Sequence, residues 1–265
     1  MLLVHGTGAS THSWRDVMPI LARHYAVIAA DLPGHGFTDA ASGPASSIAG
    51  MSESMAALLR TMGVSPSYCV GHSAGAVVLC KMALDERIAP RVIIGINGAF
   101  LPLRGAAGLL FSPIARLLTH AAFLPRLIAR RTRTADVARL IAGTGSTLDA
   151  RGVELYARLV RNPAHLAGAI TMMGNWDLYQ FERELPRLPV PLELIVADQD
   201  LTIPPRQAHD VQRVLPTTVI HRVPRLGHLA HEENPALLAD LLLEICRRYQ
   251  DQQAVRARLR PTTGG

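Results

Sequence analysis

Lysine is almost missing from this chain: Lys81 is the only one, and arginine carries the rest of the positive charge. A formal charge of +6 and a pI near 9.8 would ordinarily raise nucleic acid or an anionic surface as partner. Yet no run of like charge exceeds Arg130-Arg131, and the aromatics that would stack on bases are only 5% of residues. That argues against nucleic acid. Cysteine is scarce too. Cys69, Cys80 and Cys246 sit in apolar runs and make neither a CxxC nor a metal-ligand spacing, so the expectation is buried free thiols in a reducing cytosol, with no metal site and no cofactor. No apolar run reaches the length of a membrane span, and the start, Met1-Leu2-Leu3-Val4-His5-Gly6, lacks the features of a signal peptide. What is abundant is apolar side chain, at 49%, enough for a sizeable core.

The most informative stretch is Gly71-His72-Ser73-Ala74-Gly75, between an apolar run (Tyr68-Cys69-Val70) and a helical one (Ala76 to Met82). G-x-S-x-G between strand and helix describes a nucleophile elbow, a sharp turn that lifts one serine hydroxyl clear of a sheet. Alone the pattern is weak, because short Gly/Ser strings recur by chance. Its partners follow in order. A Val/Ile/Leu-rich run (Leu192 to Val196) opens into Ala197-Asp198-Gln199-Asp200, which places Asp200 just past a strand as the acid, with Asp198 its rival. Val219 to Pro224 reads as one more strand, followed by Arg225-Leu226-Gly227-His228; His228 is the expected base and His231 its competitor. Ser, Asp, His in that order is one of three known triad orders.

Upstream, Met1 to Val4 reads as a strand ending in His5-Gly6-Thr7-Gly8. A glycine-rich turn there can supply one amide of an oxyanion hole, so the N–H groups of Thr7 and Ala74 are expected to converge on a substrate oxygen. A helix is expected from Trp14 through Leu21, a strand over Tyr25 to Ala30, a helix over Ile48 to Met62 and a strand over Arg91 to Ile96. Asp31-Leu32-Pro33-Gly34-His35-Gly36 reads as a structural loop. Asn97 ends the Arg91 strand and is no carboxylate, so Asp200 has no rival there.

Alternating short strands and helices predict an α/β fold: a mostly parallel, doubly wound sheet with its active residues at the strand ends. From about 99 to 177 strand-like runs disappear, and helical segments rich in Leu, Ala and Arg take over. The predicted organisation is therefore a core of residues 1–98 and 178–250, a helical cap over 99–177, and a flexible tail over 251–265. Phe111, Phe123, Met172, Met173 and Trp176 are the expected lining of a bulky apolar pocket. Arg116, Arg126, Arg130, Arg131 and Arg133 could meet anionic lipid or a carboxylated substrate, though a solvated face explains most of them.

HGTGAS, DLPGHG, GHSAG, ADQDLTIP and LGHLAHEENP together resemble the α/β-hydrolase superfamily across nearly the whole chain. HGTGASTHSWRD, GHSAGAVVLCKMALDERIAPRVIIGINGAFLPL, AGTGSTLDARGVELYARLVRNP and MMGNWDL resemble the magnesium-chelatase accessory family of bacteriochlorophyll biosynthesis, the BchO type. That resemblance implies a tetrapyrrole-like apolar substrate, magnesium chelatase as a partner, and a cytoplasmic protein near the photosynthetic membrane. It supplies no reaction. The residues themselves predict a serine hydrolase acting on a bulky apolar ester; the alternatives are a non-catalytic porphyrin-binding accessory protein and a cofactor-free perhydrolase or haloperoxidase-like activity. Superfamily members begin with two more strands, so the expectation is a start set too far downstream, with the Tyr25 to Ala30 strand left as an apolar sheet edge.

Overall fold

The computed structural model describes residues 1–39, 43–102 and 123–258. Six strands, β1 (Leu2–Val4), β2 (Ile28–Ala30), β3 (Tyr68–His72), β4 (Val92–Ile96), β5 (Leu192–Ala197) and β6 (Val219–Val223), form one sheet in the order β2-β1-β3-β4-β5-β6. Every pairing is parallel. The central strands are buried on both faces, which is why they read as continuous apolar runs rather than alternating ones. Period-two geometry splits their side chains between two cores. Leu2, Val4, Cys69, Ile93, Leu194 and Val196 join one, while Leu3, Val70, Ile94, Ile96 and Ile195 join the other.

Helices cover both faces. Among the described residues they are α1 (Met18–Leu21), α2 (Ile48–Thr61), α3 (Ala74–Leu84), α4 (Leu124–Arg131), α5 (Thr134–Ala142), α6 (Ala150–Arg161), α7 (Pro163–Asn175), α8 (Leu178–Glu184), α9 (Gln207–Val214), α10 (Ala230–Glu233) and α11 (Pro235–Arg258). The helix expected over Trp14 to Leu21 is two pieces, a 3₁₀ turn at Thr11–Trp14 and α1. Pro19 accounts for the break, because deep in a longer helix it would remove a hydrogen bond and clash with the carbonyl four residues earlier. At the other end α11 continues to Arg258, so residues 251–258 are helix rather than frayed tail. The four helices α4 to α7 fall where the cap was expected, and α8 extends the helical stretch past 177.

The strand expected over Tyr25 to Ala30 is the short β2, paired on one side only and closing the sheet as an edge. Beside it, at the amino ends of β1 to β3, lies a cavity of about 420 Å³ lined by Met1, Tyr25, Ile28, Val64 and Tyr68 among others. None of its lining residues belongs to the expected active site, which occupies the carboxyl ends of the strands.

What fixes the turn after β3 is close packing. A Cβ on Gly75 would lie 2.2 Å from the Val4 carbonyl oxygen and 2.6 Å from that of His5, and one on Gly71 would lie 2.3 Å from the Ala76 nitrogen. Both obstacles are backbone and cannot swing aside. Gly75→Ala is therefore expected to destabilise the fold by about 3 kcal/mol, at the upper end of overpacking costs. A urea midpoint equal to that of the parent protein would contradict this packing.

Candidate active site

Ser73 joins β3 to α3 with φ of 50° and ψ of −116°, a left-handed conformation that residues with a side chain rarely adopt. Its own backbone is tied down, with the N–H donating to Ile96 O at 2.9 Å and the carbonyl accepting from Ala99 N at 3.2 Å. Ala74 is the first residue of α3, so its N–H is one of the donors an α-helix leaves without an i−4 acceptor, at the positive end of the helix dipole. Gly6 lies against the same turn, for a Cβ there would come within 3.0 Å of Ser73 Cβ and 2.8 Å of His72 Nδ1. Thr7, next in the chain, is thereby carried to the turn, and its hydroxyl donates to Met172 Sδ at 3.5 Å.

Past the end of β5, Asp200 is buried and accepts three hydrogen bonds. Oδ1 takes the N–H groups of Thr202 and Ile203, each at 2.8 Å, and Oδ2 takes His228 Nδ1–H at 2.8 Å. With Nδ1 protonated, His228 Nε2 is left as the basic nitrogen. Both rivals are placed elsewhere. Asp198 is exposed and pairs with Arg222 at 2.6 Å. His231 is fully buried between the rings of Trp14 and His72, 4.6 and 4.5 Å away, with no partner on either nitrogen; burial brings its pKa down to about 3. Ser73 and His228 are both buried in the same region, but no hydrogen bond joins them among the described residues. Such contacts often tighten only when substrate arrives.

Three sets of contacts around His228 were not foreseen. Asn97, weighed only as a missing carboxylate, is buried with φ of 47°; its amide donates to Gly227 O at 3.0 Å and His228 O at 2.9 Å, and its Oδ1 accepts from Ala197 N at 2.8 Å. His72 donates through Nε2 to the same His228 carbonyl at 3.0 Å. The third set comes from the cap. Thr144 O accepts from both Leu201 N at 3.1 Å and His228 N at 3.3 Å, and Ser146 Oγ accepts from Leu229 N at 2.8 Å. One turn of the cap thus holds the acid loop and the base loop together. Gly145, at φ of 82°, has no room for a Cβ, which would lie 1.9 Å from Gln199 O.

The cap is tied to the core at two further points. His165 accepts from Gly36 N at 2.9 Å and donates to Gly8 O at 3.1 Å, linking α7 to the loop that holds Thr7. Tyr156 donates to Glu232 at 2.6 Å, and Arg15 meets the other oxygen of that carboxylate at 2.7 Å. Burial pushes the Glu232 carboxyl up to about 7 against the pull of these two partners. Of the expected pocket lining, Met172 is buried in the core and touches Thr7, while Met173 and Trp176 are half-buried. Phe123 is instead 67% exposed, and Phe111 lies outside the described residues. Among the described residues no cluster of side chains could hold a metal ion.

Burial holds several imidazoles neutral. It lowers His5 and His12 to about 4 and His35 and His231 to about 3, from 6.5. An unfolded chain takes up these protons first, so stability is fully present above pH 6.5 and falls as pH drops toward the folded values, by up to about 1.4 kcal/mol per pH unit for each ring. Glu232 acts in the opposite sense between pH 4.5 and 7, as one group against four. The urea midpoint is expected to be clearly lower at pH 5 than at pH 7.5; a flat profile would contradict the burial of these rings.

A model described as the alpha/beta hydrolase family matches residues 1–241. The magnesium-chelatase 30 kDa subunit of Rhodobacter capsulatus is 36% identical over 245 residues, 92% of this chain and 85% of that protein. Solved structures of an alpha/beta hydrolase fold protein from Burkholderia ambifaria (24% identity, TM-score 0.74, 92% and 89% of the two chains) and of a thermophilic esterase from Thermogutta terrifontis (22% identity, TM-score 0.71, 94% and 89%) share its fold.

Proposed function

Because the chain belongs to the alpha/beta hydrolase family, we propose that it is a serine hydrolase that cleaves a bulky, largely apolar ester through an acyl-enzyme. The observations that carry this reading are Ser73 held in a left-handed turn at the end of β3 and a buried Asp200–His228 pair at 2.8 Å. A protein that only binds its ligand needs neither. His228 Nε2 takes the proton from Ser73 as its oxygen attacks the ester carbonyl, then returns it to the leaving alcohol. Asp200 keeps the imidazole in the required tautomer and stabilises its cation. The N–H groups of Thr7 and Ala74 take the charge that develops on the carbonyl oxygen, where one such donor is typically worth about 3 kcal/mol. Water entering by the same base releases the acid.

The substrate class follows from less. Met172 itself is buried against Thr7, and the half-buried Met173 and Trp176 that follow it are the apolar side chains proposed to meet the substrate. The 36% identity to a magnesium-chelatase subunit supports a tetrapyrrole ester and an association with the chelatase. The same relationship favours a second reading, an accessory protein that holds a porphyrin for metal insertion without catalysis.

Intact mass after treatment with a fluorophosphonate separates the two. The parent protein is expected to gain one adduct and Ser73→Ala none, with hydrolysis of a naphthyl ester reduced by about 10³-fold or more in the variant. A folded parent protein that takes no label would contradict catalysis, and porphyrin binding would then be the reading to test.

A further inference from the structure

The chain's positive charge is concentrated in the cap. Residues 123–161 hold eight arginines and three acids, whereas all other residues together hold nineteen basic and eighteen acidic. A composition bias toward arginine would not place nearly the whole net charge in one stretch. Much of it lies on α4. Arg139 pairs with Asp136, and Arg158 and Arg161 pair with Glu154, but no carboxylate among the described residues pairs with Arg126, Arg130 or Arg131.

The geometry of α4 sorts its residues into two faces. Pro125 and Ala129 are buried against the rest of the cap, while Phe123, Arg126, Leu127, Arg130 and Arg131 are exposed. At ~100° per residue, the exposed side has Phe123 and Leu127 at its centre, Arg126 and Arg130 along one flank and Arg131 along the other. Phe123 is 67% and Leu127 39% exposed. A merely solvated face has no use for an aromatic ring and a leucine in its middle. An apolar ridge between unpaired arginines is the pattern of a helix lying in a lipid interface, with its apolar side chains entering the acyl boundary and its guanidinium groups at the phosphates.

We propose that the exposed face of α4 docks the protein on an anionic lipid bilayer. The exposed Phe123 and Leu127 suit a deformable lipid surface, and the arginines that no described carboxylate pairs supply the complementary charge. Arginine within the surface field of an anionic leaflet contributes enough that each one reversed weakens binding roughly fivefold or more. Two apolar side chains alone give little hold, so neutral lipid is not enough.

Sedimentation of the full-length protein with vesicles tests this, using phosphatidylcholine alone against phosphatidylcholine mixed with phosphatidylglycerol. The parent protein is expected to sediment with the mixed vesicles only, and less so as salt is raised. Arg126→Glu/Arg130→Glu/Arg131→Glu should remain in the supernatant, and Leu127→Ser should bind several-fold more weakly at unchanged salt, each with an unaltered thermal midpoint. Equal binding by the charge-reversed protein would overturn the proposal. So would failure of the parent to bind either vesicle while polyglutamate is captured through the same arginines, an outcome that would assign the face to an acidic protein.

Discussion

Two carbonyl oxygens at the end of the first strand, those of Val4 and His5, stand where a side chain at position 75 would have to be. The rest of the site depends on that contact. It lets α3 start directly over β1, which forces the chain at Ser73 through a left-handed turn and leaves the Ala74 N–H beside it without an i−4 acceptor. The same approach brings Gly6 against Ser73 and so fixes where Thr7 stands. A strained serine, a helix-start amide and a glycine-rich loop are three consequences of one piece of close packing.

The proposed acid and base, Asp200 and His228, are held by a different device. Their loops follow β5 and β6, neighbouring strands, which explains why Asp200 and His228 meet. Strand order alone would leave both loops mobile. Asn97 ties the base loop to the end of β5, His72 adds a second bond to the same carbonyl, and the Thr144 carbonyl joins the two loops from the cap side. The turn at Thr144 to Ser146 thus helps to position the proposed acid and base. Other ties from α7 and α6, through His165 and through Tyr156 to Glu232, reach the loop of Thr7 and the helix after His228. Movement of these helices would be felt at the loops of Asp200, His228 and Thr7.

Much of this geometry was legible in the sequence because it is set by local motifs. The elbow needs its glycines within five residues, and the acid and base each follow a strand that reads as an apolar run, so position along the chain stood in for position in space. Asn97, His72, Thr144 and His165 were not legible as site residues. Their partners are distant in sequence, at the far side of crossovers that no local pattern encodes. The direction of His72 in particular depends on where the base loop falls. Phe123 was misassigned for another reason: an aromatic in an apolar cap suggests a lining, and only packing shows which face of the helix it occupies.

The central claim is that the Asp200–His228 pair makes Ser73 a nucleophile. The most direct measurement is the second-order rate of fluorophosphonate addition to Ser73, compared between the parent protein and Asp200→Asn with matched stability. Loss of the carboxylate leaves the imidazole in the wrong tautomer, and the account predicts a fall of about ten-thousand-fold. Equal rates in the two proteins would contradict it.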